Sequence, residues 1–451
     1  MMRANRFRVV PLCIFASVWA TTASGQVINE DLKIYTLDGS SNDQIGNAVA
    51  VAGGVIGMGA SGEDEFGSNS GAVYLFDAVT GVQLFKLHAD DAATSDNMGQ
   101  SIAMDNGVLV AGATGDDDNG SGSGSVYLFD VTTGLQTRKL VPDDGAASDK
   151  FGKSVAISGN LVAVGASTDD DNGSNSGSAY LFHASTGEQL YKLLPDDGDA
   201  SDAFGLSIAM SDGIIAVGAP LDEGGGSVYL FDAITGNQFA KLIGGDAFSG
   251  DQFGDSVAIS DGIVVVGSPA HDDNGANSGS AYLFAASSGF QLLEIKPLDG
   301  EQADLFGRSV AISGGVVVVG ALGDDDNGSA AGSAYFFDAS DGTQISKLLA
   351  SDGAGSDVFG QSVAVSGGFA VVGAKLSDGN AIDSGAGYIF GIGAAGCPAD
   401  MNSDGNLDFF DVSAFLTAFS SDDLAADFNN DGVLDFFDVS AFLAAFGAGC
   451  P

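Results

Sequence analysis

Two stretches near the C-terminus place oxygen-bearing residues at fixed steps: DMNSDGNLDFFD at 400–411 and DFNNDGVLDFFD at 427–438, offset by 27 residues. In a twelve-residue loop, oxygens from positions 1, 3, 5, 7, 9 and 12 can converge on one calcium ion, which takes six to eight of them. Asp400, Asn402, Asp404, Asn406 (through its backbone carbonyl), Asp408 and Asp411 fill those places in the first copy. Asp427, Asn429, Asp431, Val433 (carbonyl), Asp435 and Asp438 fill them in the second. Gly405 and Gly432 stand at position 6, where a Cβ would obstruct the sharp turn. Two such loops in register predict two bound Ca2+ ions.

The residues behind each loop predict the elements that hold it. Val412, Phe415, Leu416 and Phe419 recur at i, i+3, i+4 and i+7, and Val439, Phe442, Leu443 and Phe446 repeat that stripe. Two amphipathic helices packed against each other as a small core are the expectation. Asp stands at position 12, where an EF-hand has Glu, and no helix precedes the first loop, so each copy reads as a loop followed by one helix. Cys397 and Cys450 bracket the pair, and an even cysteine count in an exported chain suggests one disulfide. Closing a loop of roughly 50 residues is worth about 4 kcal/mol as an upper figure. A module of this size holds little core of its own, so calcium is expected to order it.

The segment resembles a dockerin domain, and more narrowly the modules flanked by "GC" and "CP" that end many exported planctomycete proteins. The resemblance implies docking onto a cohesin-like or other envelope protein. It places recognition at loop positions 10 and 11 and along the helices: Phe409, Phe410, Ser413 and Thr417, or Phe436, Phe437, Ser440 and Ala444. Cellulosomal dockerins commonly carry Ser or Thr where this chain has paired Phe.

At the other end, MMRANRFRVVPLCIFASVWATTASGQ has a basic start, an apolar run from Val9 to Ala20 and small residues at Ala23 and Gly25. This is the layout of a secretory signal peptide spanning 1–25. Its removal takes Cys13, Trp19 and three of the fifteen Lys and Arg residues from a chain whose formal net charge is already -45. The mature protein is therefore expected to be secreted, extracellular or attached at the cell surface. A field of that sign repels phosphate backbones and anionic lipid, which argues against nucleic acid and membrane insertion and for cations as partners. The plainer explanation for most of the sixty Asp and Glu is solubility.

Between the two ends the chain repeats itself. QIGNAVAV, NMGQSIAM, KFGKSVAI, AFGLSIAM, QFGDSVAI, LFGRSVAI and VFGQSVAV place a glycine at 46, 99, 152, 205, 254, 307 and 360. Each unit holds four short apolar runs separated by Gly, Asp, Asn and Ser; in the third these are SVAIS (154–158), LVAVGA (161–166), SAYLF (178–182) and EQLYKLL (188–194). Runs this short without helical spacing read as strands, and four antiparallel strands repeated seven times predict an all-β seven-bladed β-propeller. The last unit stops after GYIF (387–390), while an orphan LKIYTLDG (32–39) precedes the first glycine. Residues 32–37 are therefore expected to complete the final blade and close the ring. The full division is signal peptide 1–25, propeller 26–390, linker 391–396 and a small all-α calcium-binding module 397–451.

FGxSVAIS, the VVVGA run and GSAYLF resemble the FG-GAP repeats that build integrin-type β-propellers, over about residues 30–394. VGAP stands at 217–220 and VGSP at 266–269. Some propellers of that type carry calcium in D-x-D-x-D-G loops. The related loops here, such as GDDDNGSGSG (115–124), TDDDNGSNSG (168–177) and GDDDNGSAAG (323–332), put Gly115, Thr168 and Gly323 where the first carboxylate belongs. They could supply only part of a calcium shell and read as solvated turns.

No catalytic constellation stands out. His88, His183 and His271 fall in different units, with His183 and His271 expected in surface loops or at strand ends. No nucleophile elbow or metal-spaced His pair occurs. The expected function is a monomeric, non-enzymatic binding or adhesion protein whose propeller meets a protein or glycan ligand. The alternatives are a tethered polysaccharide-active enzyme and a structural surface-layer component.

Overall fold

The structure is a computed structural model that describes residues 26–392 except Leu37, together with 399, 401, 407, 409–420, 426, 428, 434 and 436–448. It separates into two compact units between Ile392 and Gly393.

In the larger unit the four apolar runs of each repeat form one antiparallel sheet in chain order, giving seven blades. In blade three, Ser154–Ser158, Leu161–Ala166, Ser178–His183 and Gln189–Leu193 pair successively, with Val164 opposite Tyr180 and Tyr180 opposite Lys192. The first strands of neighbouring blades adjoin one another in a cycle, and Ser362–Ser366 of blade seven returns to Ala48–Ala52 of blade one. Each blade is covered on both faces by its neighbours, which is why the middle strands are apolar at nearly every position instead of alternating. One core cluster, for example, joins Leu181 and Leu193 of blade three to Ile215, Val217, Tyr229 and Phe231 of blade four.

The repeated glycines are explained by how closely the blades approach. A Cβ on Gly165 would lie 2.0 Å from the carbonyl oxygen of Gly205 in the next blade, and Gly205 itself has φ +86°. Only glycine meets both demands. The Ser154 hydroxyl donates to that same Gly205 oxygen at 2.8 Å, and five other blades repeat the bond. The last of these, Ser362 to Gly46, spans the seam between blades seven and one.

That seam is completed from the N-terminus. Leu32–Ile34 pairs antiparallel with Ala386–Gly391, supplying the outermost strand of blade seven. The strand is shorter than 32–37 because the ladder stops at the apolar residue after the lysine, as it does in blade three, before the chain crosses to the next blade. A second N-terminal strand, Gln26–Asn29, was not expected. It pairs parallel with Gln344–Leu349 and makes blade six five-stranded. Glu30 then accepts hydrogen bonds from the backbone and hydroxyl of Ser351.

In the smaller unit the described residues form helices α1 (Phe409–Ser420) and α2 (Phe436–Ala448), one in each copy of the duplicated sequence. Phe415 and Phe442 stack at 4.2 Å between centroids, 7° from parallel, and Ala399 and Ala426 are buried with them. This matches the internal duplication. Leu416 and Leu443 correct the expected stripe: both are exposed, because the buried arc is centred on Phe415 and runs through Val412 and Phe419. Among the described residues no helix is long and apolar enough to cross a membrane.

Candidate functional site

The acidic loops of the propeller are solvated turns at most positions, with Asp117, Asp118, Asp170, Asp171, Asp325 and Asp326 exposed, but each of these three loops buries one carboxylate, Asp116, Asp169 or Asp324. In blades one, two, three, four and six the first carboxylate of the loop lies in a seam between blades, beside a lysine. In blade six, Lys347 Nζ is 2.8 Å from Asp324, 2.6 Å from Asp326 and 2.9 Å from Asp299, the last belonging to the turn that leaves blade five. The Tyr335 hydroxyl donates to Asp324 at 2.9 Å. Lys139 and Lys192 repeat the arrangement with Asp91, Asp116 and Asp118, and with Asp144, Asp169 and Asp171. Lys86, Lys241 and Lys33 occupy the corresponding place in blades one, four and seven.

The lysine comes from the fourth strand, opposite the tyrosine of the third, so strand register alone delivers it. Burial by itself would lower the Lys347 pKa, but its hydrogen bonds to Asp324, Asp326 and Asp299 raise it, and it stays charged. Burial would likewise raise Asp116 and Asp169, yet the tyrosine, lysine and backbone donors leave both below the ordinary carboxylate value. An ammonium thus stands in the middle of the carboxylates where a loop cation would otherwise sit. The sequence carries a signal for it: Tyr in the third strand, Lys in the fourth and an acid in the loop recur together in five units.

Blade five departs from the pattern. Its fourth strand has Glu294 opposite Tyr282, and its loop has His271 in place of the buried acid. His271 is 3% exposed, not a surface residue, because it takes the inward place that Asp324 holds in blade six. His183 does sit at a strand end.

A different cationic group lies at one end of the axis. Lys153 and Arg308 follow FG glycines at the start of innermost strands, and Lys375 follows a second strand at the same end. Arg308 bonds Asp255 of the preceding blade, and Lys375 Nζ is 3.5 Å from Asn47 Oδ1. Burial holds Lys153 and Lys375 below the ordinary lysine value, and the Arg308 charge acts in the same direction. Such a group can accept an anion.

Of the expected calcium ligands, Asp411 and Asp438 are described: both are fully buried in the first turn of their helices, where a carboxylate also complements the helix dipole. Asp400, Asn402, Asp404, Asn406, Asp408, Asp427, Asn429, Asp431, Val433 and Asp435 lie outside the described residues, as do Cys397 and Cys450. Phe409 and Phe436 are each 75% exposed, and Ser413, Thr417 and Ser440 are exposed on the same helices. The side chains of Phe410, Phe437 and Ala444 are outside the described set. Leu416 and Leu443 widen the outward arc that these residues share.

The FG-GAP repeat matches seven times, at residues 29–76, 82–129, 135–182, 188–231, 237–284, 291–337 and 343–390. No curated protein matches the chain. With seven matches that take in most of its length and a blade for each of them, the chain belongs to the FG-GAP repeat family.

Proposed function

We propose that the protein is an exported, non-enzymatic binding or adhesion protein: the propeller presents the ligand surface, and the C-terminal module, ordered by two Ca2+ ions, tethers it to an envelope or extracellular partner. The observation that carries the tether is the duplicated loop and helix. Each twelve-position loop ends on a buried aspartate, Asp411 or Asp438, and each helix leaves Phe409 or Phe436 outward. A carboxylate without exposure at that position suits an inward-facing ion, and an outward aromatic suits a protein contact. The dockerin likeness names the partner class as cohesin-like or another envelope protein.

For the propeller, Lys153, Arg308 and Lys375 favour a ligand that brings an acidic group to the axis. Retention of the full chain on sulfated, carboxylated and neutral polysaccharides tests this. The acidic polymers should be preferred, and the preference should vanish in a Lys153→Ala/Lys375→Ala variant; equal retention would remove the axis from the reading, and turnover of any polymer would favour the tethered-enzyme alternative. Calcium titration of the full chain tests the module. Two ions should bind with a gain of helicity, and Asp404→Ala/Asp431→Ala should abolish both effects. Unchanged binding in that variant would sink the loop assignment.

A further inference from the structure

Blade five carries a side-chain cluster unlike the other six seams. Elsewhere the residue opposite the third-strand tyrosine is lysine; here it is Glu294, and the lysine has moved two positions on, to Lys296. Asp246, His271, Asp273 and Glu294 each offer one donor atom, and these atoms all lie within 4.8 Å of one another.

The histidine is already oriented. Its Nδ1 is 2.8 Å from Asp251 Oδ2, which fixes the proton on Nδ1 when the ring is neutral and leaves a lone pair on Nε2. Nε2 is buried, makes no hydrogen bond, and faces Asp273 Oδ1 at 3.3 Å and Asp246 Oδ2 at 3.9 Å. A buried lone pair turned toward the carboxylates of Asp246 and Asp273, which are themselves 42% and 40% exposed, calls for a positive charge between them, which a proton or a metal ion arriving from solvent can supply. Tyr282 supports the same set, its hydroxyl donating to Asp246 at 3.0 Å.

We propose that blade five binds a divalent transition-metal cation of the Zn2+ kind, through His271 Nε2 and the carboxylates of Asp246, Asp273 and Glu294. One imidazole nitrogen and three carboxylate oxygens form a four-coordinate donor set for such an ion. Asp251 is the outer partner that holds the imidazole in the ligating tautomer. Lys296, which pairs with Asp273 and lies 2.7 Å from Glu294, is the competitor that the metal displaces; its side chain is 29% exposed and can swing into water. Blade one supplies an internal comparison. Glu63, Glu65 and His88 also cluster there, but Lys86 Nζ lies 2.9 Å from each carboxylate and fills the place.

The test uses the full chain, stripped with chelator and titrated with Zn2+ in saturating Ca2+, with bound metal counted by elemental mass spectrometry and affinity read by calorimetry. One Zn2+ per chain should be lost in His271→Ala and in Glu294→Lys, and Asp251→Asn should bind about 10- to 100-fold more weakly. Lys296→Met should bind more tightly than the parent. Glu294→Lys restores the residue that six blades use, so it should keep a native thermal transition and separate loss of metal from loss of fold. Absence of stoichiometric Zn2+ in the parent, or equal binding in His271→Ala and Glu294→Lys, would overturn the proposal.

Discussion

For single side chains, the decisive feature is a lysine placed among carboxylates at the seams. Lys347 is the most enclosed, 3% exposed beside an Asp324 that is 5% exposed. Removing one partner of a buried pair strands the other charge, so Lys347→Met should cost about 3 kcal/mol in a urea melt, and Lys241→Met, at a more open seam, clearly less. Equal losses at the two sites would contradict the role given to burial. Asp304 behaves in the opposite sense. Burial, and secondarily the charge of Asp324, push its carboxyl from the ordinary 3.8 to about 6, against the pull of the Glu301 backbone amide and Lys347. Its folded value exceeds its unfolded one, so its penalty is absent below about pH 4 and complete above about pH 6. Asp304→Asn should therefore gain roughly 1–3 kcal/mol at pH 8 and nothing near pH 4. A pH-independent difference between the two proteins would refute this. The seam lysines were present in the sequence but hidden by composition: the carboxylates are many, and only strand register shows which of them share an ammonium.

Among the elements, the strands were legible because turn residues and apolar runs repeat seven times over, and ring closure followed from an unpaired fourth-strand sequence at the N-terminus. Gln26–Asn29 was not legible, since four residues abutting the expected signal cleavage have no counterpart in the other units and no periodicity of their own. The two N-terminal strands make a joint prediction. A chain starting at Ser40 loses buried Ile34, the Lys33–Asp352 pair at 2.6 Å and the parallel strand on blade six. It should lose at least about 3 kcal/mol, from the apolar burial alone and more from the pair. It should also self-associate through the bared edge of Ala386–Gly391. Calorimetry and light scattering would read both, and an unaltered melting temperature would contradict closure by these strands. The helices were legible from their stripes, but the exposure of Leu416 was not, because i+4 spacing marks a face without fixing its centre.

Taken together, sixty acids against fifteen bases make the chain an anion, yet the bases are not scattered. Six lysines sit among the carboxylates of blade seams, a seventh accompanies the histidine of blade five, and Lys153, Arg308 and Lys375 gather at the axis. Family membership was readable from the repeats, whereas the ligand was not, since a propeller sets a scaffold and its function resides in side chains grafted on it. The measurement that bears most directly on the tether is co-sedimentation of the full chain with envelope from the source organism, in calcium and in chelator, with captured partners identified by mass spectrometry. Calcium-dependent capture of one envelope protein, lost when Phe409 and Phe436 are replaced by Ala, is the expected result. Sedimentation that is the same in calcium and chelator, or that survives loss of both phenylalanines, would contradict it.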